Sequence, residues 1–460
     1  LPRACCLAVA GGDRSRARAT AAFPSPSRWL FVVARVSRGM TEEDESAPSV
    51  AVVGGGAVGV TAAHDLAARG ADVTLFERGE LAAESSGRAA GVLYDAYAED
   101  VDAAVGARAL ERFRAFDRSL PGFSFSACPY VIAVREGDPD ADAVPAMVER
   151  MREHGREVSL VAPDALGERF PALRTDDLAV AAVAEGAGWT DPPSYVRALG
   201  ERAAREGVEI ETETAVALGP ETGSGRELSI RDAGDGNSTT GTRAFDAVVV
   251  AAGAHTRSLL ADAGVSVPVV PYRVQALVAP GPYDGPMVYD ATADAYFRPH
   301  PDGLLAGDGT EPVPADPDDY RREADDWFRE DVAAVLDERL VPGDSAERAD
   351  PGDRDLDVSR AWAGLCTATP DGDPLVGPVD ADGAPAPTLF VAAGWQGHGF
   401  MRAPAIGETV AEGVLASLAG AGFGDPDSPW IGAFDPGRFD GDEEFEIAEG
   451  MSLSERSEEI

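Results

Sequence analysis

Val50-Ala51-Val52-Val53 is an uninterrupted apolar run, as a strand buried on both faces requires. Residues 57–69 then carry Val58, Ala62 and Leu66 at helical spacing, and Gly70 suits the stop. Leu75-Phe76-Glu77 ends a second strand with an acid. Ala247-Val248-Val249-Val250-Ala251 and Leu389-Phe390-Val391-Ala392-Ala393 are further runs of the first kind, each leading into glycine. Residues 105–116, 192–205, 318–340 and 405–418 repeat with helical period. The third of these places Ala324, Trp327, Phe328, Val332, Val335 and Leu336 on one face. Residues 130–134, 208–216, 227–231, 244–251, 268–279 and 296–307 alternate or run apolar as strands, with a polar turn at 233–241. The pattern predicts an α/β chain with a discontinuous Rossmann-like domain in residues 48–100, 175–262 and 358–425. Residues 101–174 and 263–357 build a second, α+β domain on a mostly antiparallel sheet. Residues 426–460 are expected as an acidic tail that frays after Phe439.

The strand–turn–helix–strand unit at 49–77 carries chemistry. Gly54 suits a tight turn, Gly56 lets backbone approach a pyrophosphate, and Gly59 lets the helix pack closely on the sheet, with Ala57 and Val58 between them. Glu77 stands where a carboxylate grips a ribose hydroxyl. The motif implies a dinucleotide without saying which. Ser85-Ser86-Gly87-Arg88-Ala89-Ala90-Gly91 is a small-residue loop able to gather backbone N–H groups around a phosphate.

Charge narrows the setting. The 460 residues hold 80 acids against 39 bases, a formal net of −41, and every base is arginine. Such a lysine-free, acidic surface is expected in near-saturating salt, where counter-ions screen self-repulsion, so a halophilic, archaeal cytoplasm is expected. Nucleic acid and anionic membranes are excluded as partners by that field. Without lysine there is no P-loop lysine, Schiff base or lysine-assisted oxygen chemistry. Cys5, Cys6, Cys128 and Cys366 form neither a metal spacing nor a disulfide framework, and no apolar run is long enough to span a membrane. Residues 1–39 differ from the rest, with seven arginines and one acid. They are expected to be translated upstream sequence with Met40 as the start, and residues 1–47 to lie outside the fold.

Five blocks in order resemble the D-amino acid oxidase superfamily of FAD enzymes, which includes glycine oxidase, sarcosine oxidase and dye-linked proline dehydrogenase. They are the glycine motif with Glu77-Arg78; Ser85 to Gly91; Val250-Ala251-Ala252-Gly253; Pro271-Tyr272-Arg273-Val274-Gln275; and the C-terminal pair 362–377 and 394–404. The resemblance implies FAD held by these blocks together with Val216, Ala252, Gly253, Gly394, Gly397, His398, Gly399, Phe400 and Met401. It implies hydride removal from the C–N bond of a small amine or amino acid, of glycine, sarcosine, proline or D-amino acid type. The 397–401 loop, starting a helix, would face backbone N–H groups towards the flavin's N1 and C2=O.

The departures matter as much. Arg88 replaces the histidine that attaches FAD in dimethylglycine dehydrogenase-like chains, and Cys366 lies about two residues from the attaching cysteine of monomeric sarcosine oxidases. Non-covalent FAD is therefore expected. Cys366 also stands where glycine oxidase-like chains place a carboxylate-binding arginine. Arg298, beside Tyr296, or Arg402 is the alternative carboxylate partner, and Tyr272 and Tyr296 are candidates to line the substrate pocket. The missing lysine favours an acceptor other than oxygen, an electron-acceptor protein or a quinone. An NAD-linked dehydrogenase and a flavin-binding subunit without turnover stay open as alternatives.

Overall fold

The computed structural model describes residues 47–222, 225–235, 239–307, 309–341, 357–379, 387–424, 428 and 430–447. The expectations for residues 1–46 and for the end of the tail lie outside the described residues.

Ser49–Val53 occupies the middle of a six-stranded sheet in the order Leu375–Pro378, Leu389–Ala393, Ala247–Val250, Ser49–Val53, Asp72–Phe76 and Glu209–Glu211. All neighbours run parallel except Leu375–Pro378, which is antiparallel to Leu389–Ala393. Alternation along Ser49–Val53 explains its apolar run. Val50 and Val52 enter a core with Leu66, Phe113, Tyr195 and Ile406, from the helices Ala57–Ala68, Asp100–Asp117, Pro192–Arg205 and Gly399–Leu418. Ala51 and Val53 face the opposite way, onto Leu218, Leu228 and Phe245. Those three belong to an antiparallel meander of Thr214–Thr222, Gly225–Asp232 and Thr239–Phe245.

The expected 208–216 strand is divided between the parallel sheet and this meander. Between them Glu213 takes a positive φ of 53°. Residues 244–251 divide likewise around Asp246, whose carboxylate accepts from the Ser49 N–H at 2.7 Å. One apolar pattern thus served two strands with a corner between.

The second sheet has nine strands and is antiparallel throughout, except where Met287–Asp290 runs parallel to Tyr130–Arg135. The expected 296–307 strand is a hairpin, Ala295–His300 and Gly303–Gly307. Sheet membership cuts across the expected segment boundaries. Leu178–Ala184 pairs with Tyr130–Arg135, and Arg360–Ala368 pairs with Val270–Pro280, so both belong to the nine-stranded sheet. Ala181 and Val183 pack on one side of that sheet and Ala182 and Ala184 on the other. A strand buried on both faces reads alike in either sheet. Conversely, Asp100–Asp117 packs with the helices of the parallel sheet. The expected tail also contributes to the core, since Phe434 is fully buried.

The expected 318–340 helix starts only at Asp326, and Trp327 is 43% exposed, whereas Phe328, Val332 and Leu336 pack on the sheet. The helix is clamped by charge. Arg339, 1% exposed, places Nη2 2.8 Å from Asp290 Oδ2 and Nη1 2.7 Å from Asp177 Oδ1. Arg135 reaches the same Asp290 oxygen at 2.8 Å and also pairs with Glu338 on the helix. Asp290 is fully buried, so Asp290→Ala would remove the buried carboxylate that Arg339 and Arg135 share and cost about 3–5 kcal/mol. Glu338→Ala, at an exposed position, would cost under about 1 kcal/mol. Denaturant midpoints in high salt, compared at equal slope, check the contrast.

Candidate functional site

A cavity of about 540 Å³ runs from the 54–58 turn to the start of the Gly399–Leu418 helix. Steric exclusion shapes its first end. Gly54 has φ +116°, its N–H donates to Phe76 O at 2.8 Å, and a Cβ there would run into the Ala251 carbonyl. A Cβ on Gly59 would strike the Gly54 carbonyl, so the helix begins in direct contact with the turn. Gly54, Gly56, Ala57 and Val58 line the cavity; Gly59 lies behind them as packing.

Glu77 lines the same end. Its carboxylate accepts from the Gly55 N–H at 2.6 Å and the Gly79 N–H at 2.7 Å. Each oxygen keeps a lone pair for a ribose hydroxyl, and the two amides fix the group's orientation. Ser86 Oγ accepts from the Ala57 N–H at 2.9 Å, tying the small-residue loop to the turn, while Ser85 Oγ donates to Leu365 O at 2.7 Å. Arg88 donates to Ala83 O and pairs with Glu84 at 3.0 Å. Arg78 pairs with Asp318 at 3.0 Å and lies 3.0 Å from His255 Nε2. Arg322 also reaches Glu84, so residues 318–322 cross beside the cavity where the sequence predicts helix. Ser85, Ser86, Arg88, Ala90, Gly91, Val216, Ala252 and Gly253 all line the cavity.

At the other end Gly397, His398, Gly399, Phe400 and Met401 line it, and the last three open a 20-residue helix. A helix N-terminus offers unsatisfied N–H groups and partial positive charge. Gly394 is not in the lining; at φ +82° it packs on the Thr369 methyl, where no Cβ fits.

Tyrosines dominate that end. Tyr94, Tyr130, Tyr289 and Tyr296 line it with Trp362, Cys366 and Met401. Tyr94 stacks on Tyr130 at 4.8 Å, and its hydroxyl lies 3.5 Å from His398 Nε2. Tyr97, just outside the lining, donates to Met401 Sδ at 2.8 Å. Burial holds the Tyr94 hydroxyl well above its usual pKa and pushes that of Tyr97 up to about 12, so both stay protonated. Sequence reasoning missed Tyr94, Tyr130 and Tyr289. The signal for one was present: Tyr289 pairs with Tyr296 across adjacent strands. Tyr272, by contrast, is fully buried outside the lining.

Neither arginine expected to bind a carboxylate reaches the cavity lining. Arg298 shares a strand face with Tyr296 but lies two residues further on, behind Ala90, to whose carbonyl its Nε donates at 2.6 Å. Arg402 is drawn to Asp102 of the Asp100–Asp117 helix at 2.8 Å and covers the Tyr97 ring at 5.4 Å. Among the described residues no cluster of three or more His, Cys, Asp or Glu side chains is placed to hold a metal, and no helix is long and apolar enough to cross a membrane.

The sequence model for the family described as FAD dependent oxidoreductase matches residues 49–413. The chain belongs to this family. Within it, the chain is 30% identical over 301 residues to bovine (Bos taurus) FAD-dependent oxidoreductase domain-containing protein 1, covering 58% of this chain and 58% of that protein. It is 27% identical over 379 residues to the glycine oxidase of Geobacillus kaustophilus, covering 79% of this chain and 92% of the oxidase. The chain spans about half the length of the first curated relatives it matches. The solved L-proline dehydrogenase of P. horikoshii superposes with a TM-score of 0.71 at 26% identity, covering 86% of this chain and 98% of that one. The cavity fits the family's FAD: a side-chain-free turn for the diphosphate at one end and a helix N-terminus at the other.

Gly54→Ala should cut FAD retention at least tenfold, because the added methyl displaces the Ala251 backbone that floors the site. Gly70→Ala, also at positive φ (+97°) but with nothing within 4 Å of a Cβ, should retain it. Flavin absorbance after equilibrium dialysis in high salt checks the pair.

Proposed function

We infer that the protein oxidises the C–N bond of a small amine or amino acid. The observation that carries this is one continuous cavity linking the glycine turn to a tyrosine-lined chamber at a helix N-terminus. The kinship with glycine oxidase and proline dehydrogenase supports the same reading. FAD, when bound, supplies the hydride acceptor. The chain's residues do the rest. The 54–58 turn and Ser86 hold the diphosphate side, Glu77 holds the ribose, and the 399–401 amides oppose negative charge at the flavin end. The tyrosine rings exclude water and confine the amine. The neutral amine loses hydride from carbon, and the iminium ion left behind is hydrolysed by water to a carbonyl compound and an ammonium ion. Protonated Tyr94 and Tyr97 cannot act as bases, which suits hydride loss from an amine that enters already neutral.

The parallel sheet with its helices serves as the FAD domain and the nine-stranded sheet as the substrate domain. Arg88 at the loop, and Cys366 two residues out of position, favour FAD held without a covalent bond. The amine's electrons pass to a protein or quinone acceptor, consistent with a chain that offers no lysine to assist oxygen. The lysine-free charge of −41 supports a halophilic cytoplasm.

Purified protein in high salt should show a flavin spectrum and be bleached anaerobically by at least one of sarcosine, proline, glycine or a D-amino acid. Bound flavin that no amine bleaches would point instead to a non-catalytic subunit. A chain that takes up NAD and no flavin would favour the nicotinamide alternative.

A further inference from the structure

Arg298 is 2% exposed and takes part in none of the ion pairs found among the described residues. Arg339 and Arg402 are buried to a similar degree, yet each has a carboxylate within 2.8 Å. The Arg298 guanidinium is held by neutral groups: its Nε donates to Ala90 O, its Nη1 donates to Pro299 O, each at 2.6 Å, and its Cζ lies 4.8 Å from the Trp189 ring centroid. Trp189 in turn pairs with Val92 across adjacent strands, so the residue whose ring meets the Arg298 guanidinium is tied by backbone to the same segment. Ala89, Ala90, Gly91 and Val92 all line the cavity.

The titratable groups facing Arg298 do not neutralise it. They are Tyr296 and His300 on its own strand, Cys128 ahead of Tyr130–Arg135, and Asp191 ahead of Pro192–Arg205. Burial holds the Cys128 thiol up and, with Arg298 itself, the His300 imidazole down, so both are neutral near pH 7. Asp191 is exposed and caps its helix through the Ser194 N–H. Desolvation pulls the Arg298 pKa down to about 10, which still leaves the guanidinium charged near pH 7.

We propose that Arg298 is a positioning residue. Through Ala90 O it fixes the 89–92 part of the lining, where Ala90 packs with Tyr296 and Trp362 of the tyrosine chamber, and its positive charge behind that segment would favour the reduced, more negative flavin. This rests on the reading that FAD occupies the cavity. It gives Arg298 a role other than binding the substrate's carboxylate, for which it is not placed.

Flavin midpoint potentials of wild type, Arg298→Met and Arg298→Lys holoprotein, in high salt, test the proposal. Salt screens a buried charge little, so the effect should survive. Arg298→Met should lose about tenfold of the preference for reduced over oxidised FAD, a fall of about 30 mV for a two-electron couple. Arg298→Lys should keep the wild-type potential at neutral pH and then show an added downward step as pH rises, because a buried lysine gives up its proton below its usual pKa. A purely structural anchor would change FAD affinity or thermal stability in Arg298→Met and leave the potential in place; that outcome overturns the proposal. Should Arg298→Met fail to fold, an Arg298→Lys potential equal to wild type throughout about pH 7 to 9 overturns it equally. Wild-type protein that binds no FAD would overturn the functional reading and this proposal with it, whereas bound FAD with unmoved potentials overturns this proposal alone.

Discussion

Three pieces of backbone meet without intervening side chains where Gly54, Gly59 and Ala251 touch. Any Cβ at Gly54 collides with the Ala251 carbonyl, and any Cβ at Gly59 collides with Gly54 itself. Close approach here brings the Ala57–Ala68 helix down onto the turn and sets the Ala247–Val250 strand beside Ser49–Val53. Ala252 and Gly253 thereby reach the cavity, and Leu389–Ala393 is placed on the far side of Ala247–Val250 to deliver the 397–401 loop. A side chain at Gly54 would push apart the strands on which both ends of the site stand, and one at Gly59 would lift the helix off the turn.

Electrostatics divides the cavity. Its charged lining residues are Glu77, Arg78, Glu84, Arg88, Asp262 and Asp318; Arg78 and Arg88 are paired with Asp318 and Glu84 beside the cavity. The tyrosine end has aromatic and neutral polar groups instead. In a chain so rich in acids, keeping carboxylates out of the chamber spares a developing negative charge on the flavin from repulsion. It also leaves the N-terminal amides of the Gly399–Leu418 helix facing that end.

Much of this was legible in sequence, and the gaps have physical causes. The parallel strands could be read because both their faces are buried, which writes an unbroken apolar run. The turn glycines and the 397–401 loop could be read because backbone contact tolerates few residue types. The same double burial hid the true sheet of Leu178–Ala184. Trp327 was expected on a buried face, but residues 318–325 form ion pairs across the cavity edge instead of helix, and period alone cannot foresee that. Arg298 and Arg402 were chosen for their chemistry and proximity. Their actual partners, Ala90 O and Asp102, lie roughly 200–300 residues away along the chain, beyond the reach of local pattern. The tyrosine chamber collects residues from positions 94, 130, 289 and 296, and only the Tyr289–Tyr296 cross-strand pair left a local trace.

The order of strands in the parallel sheet also bears on how the protein is made. Its central strand is the first of the described strands to leave the ribosome, while Leu389–Ala393 and the helix that completes the cavity come last. Ala247–Val250 cannot be flanked on both sides until most of the chain has been synthesised, and its apolar edge stays open meanwhile. Contacts of such long range form slowly and leave partly built sheets prone to association. At low ionic strength the net charge of −41 would hold such partly built chains apart, whereas concentrated salt screens that repulsion and leaves the open strand edges to pair.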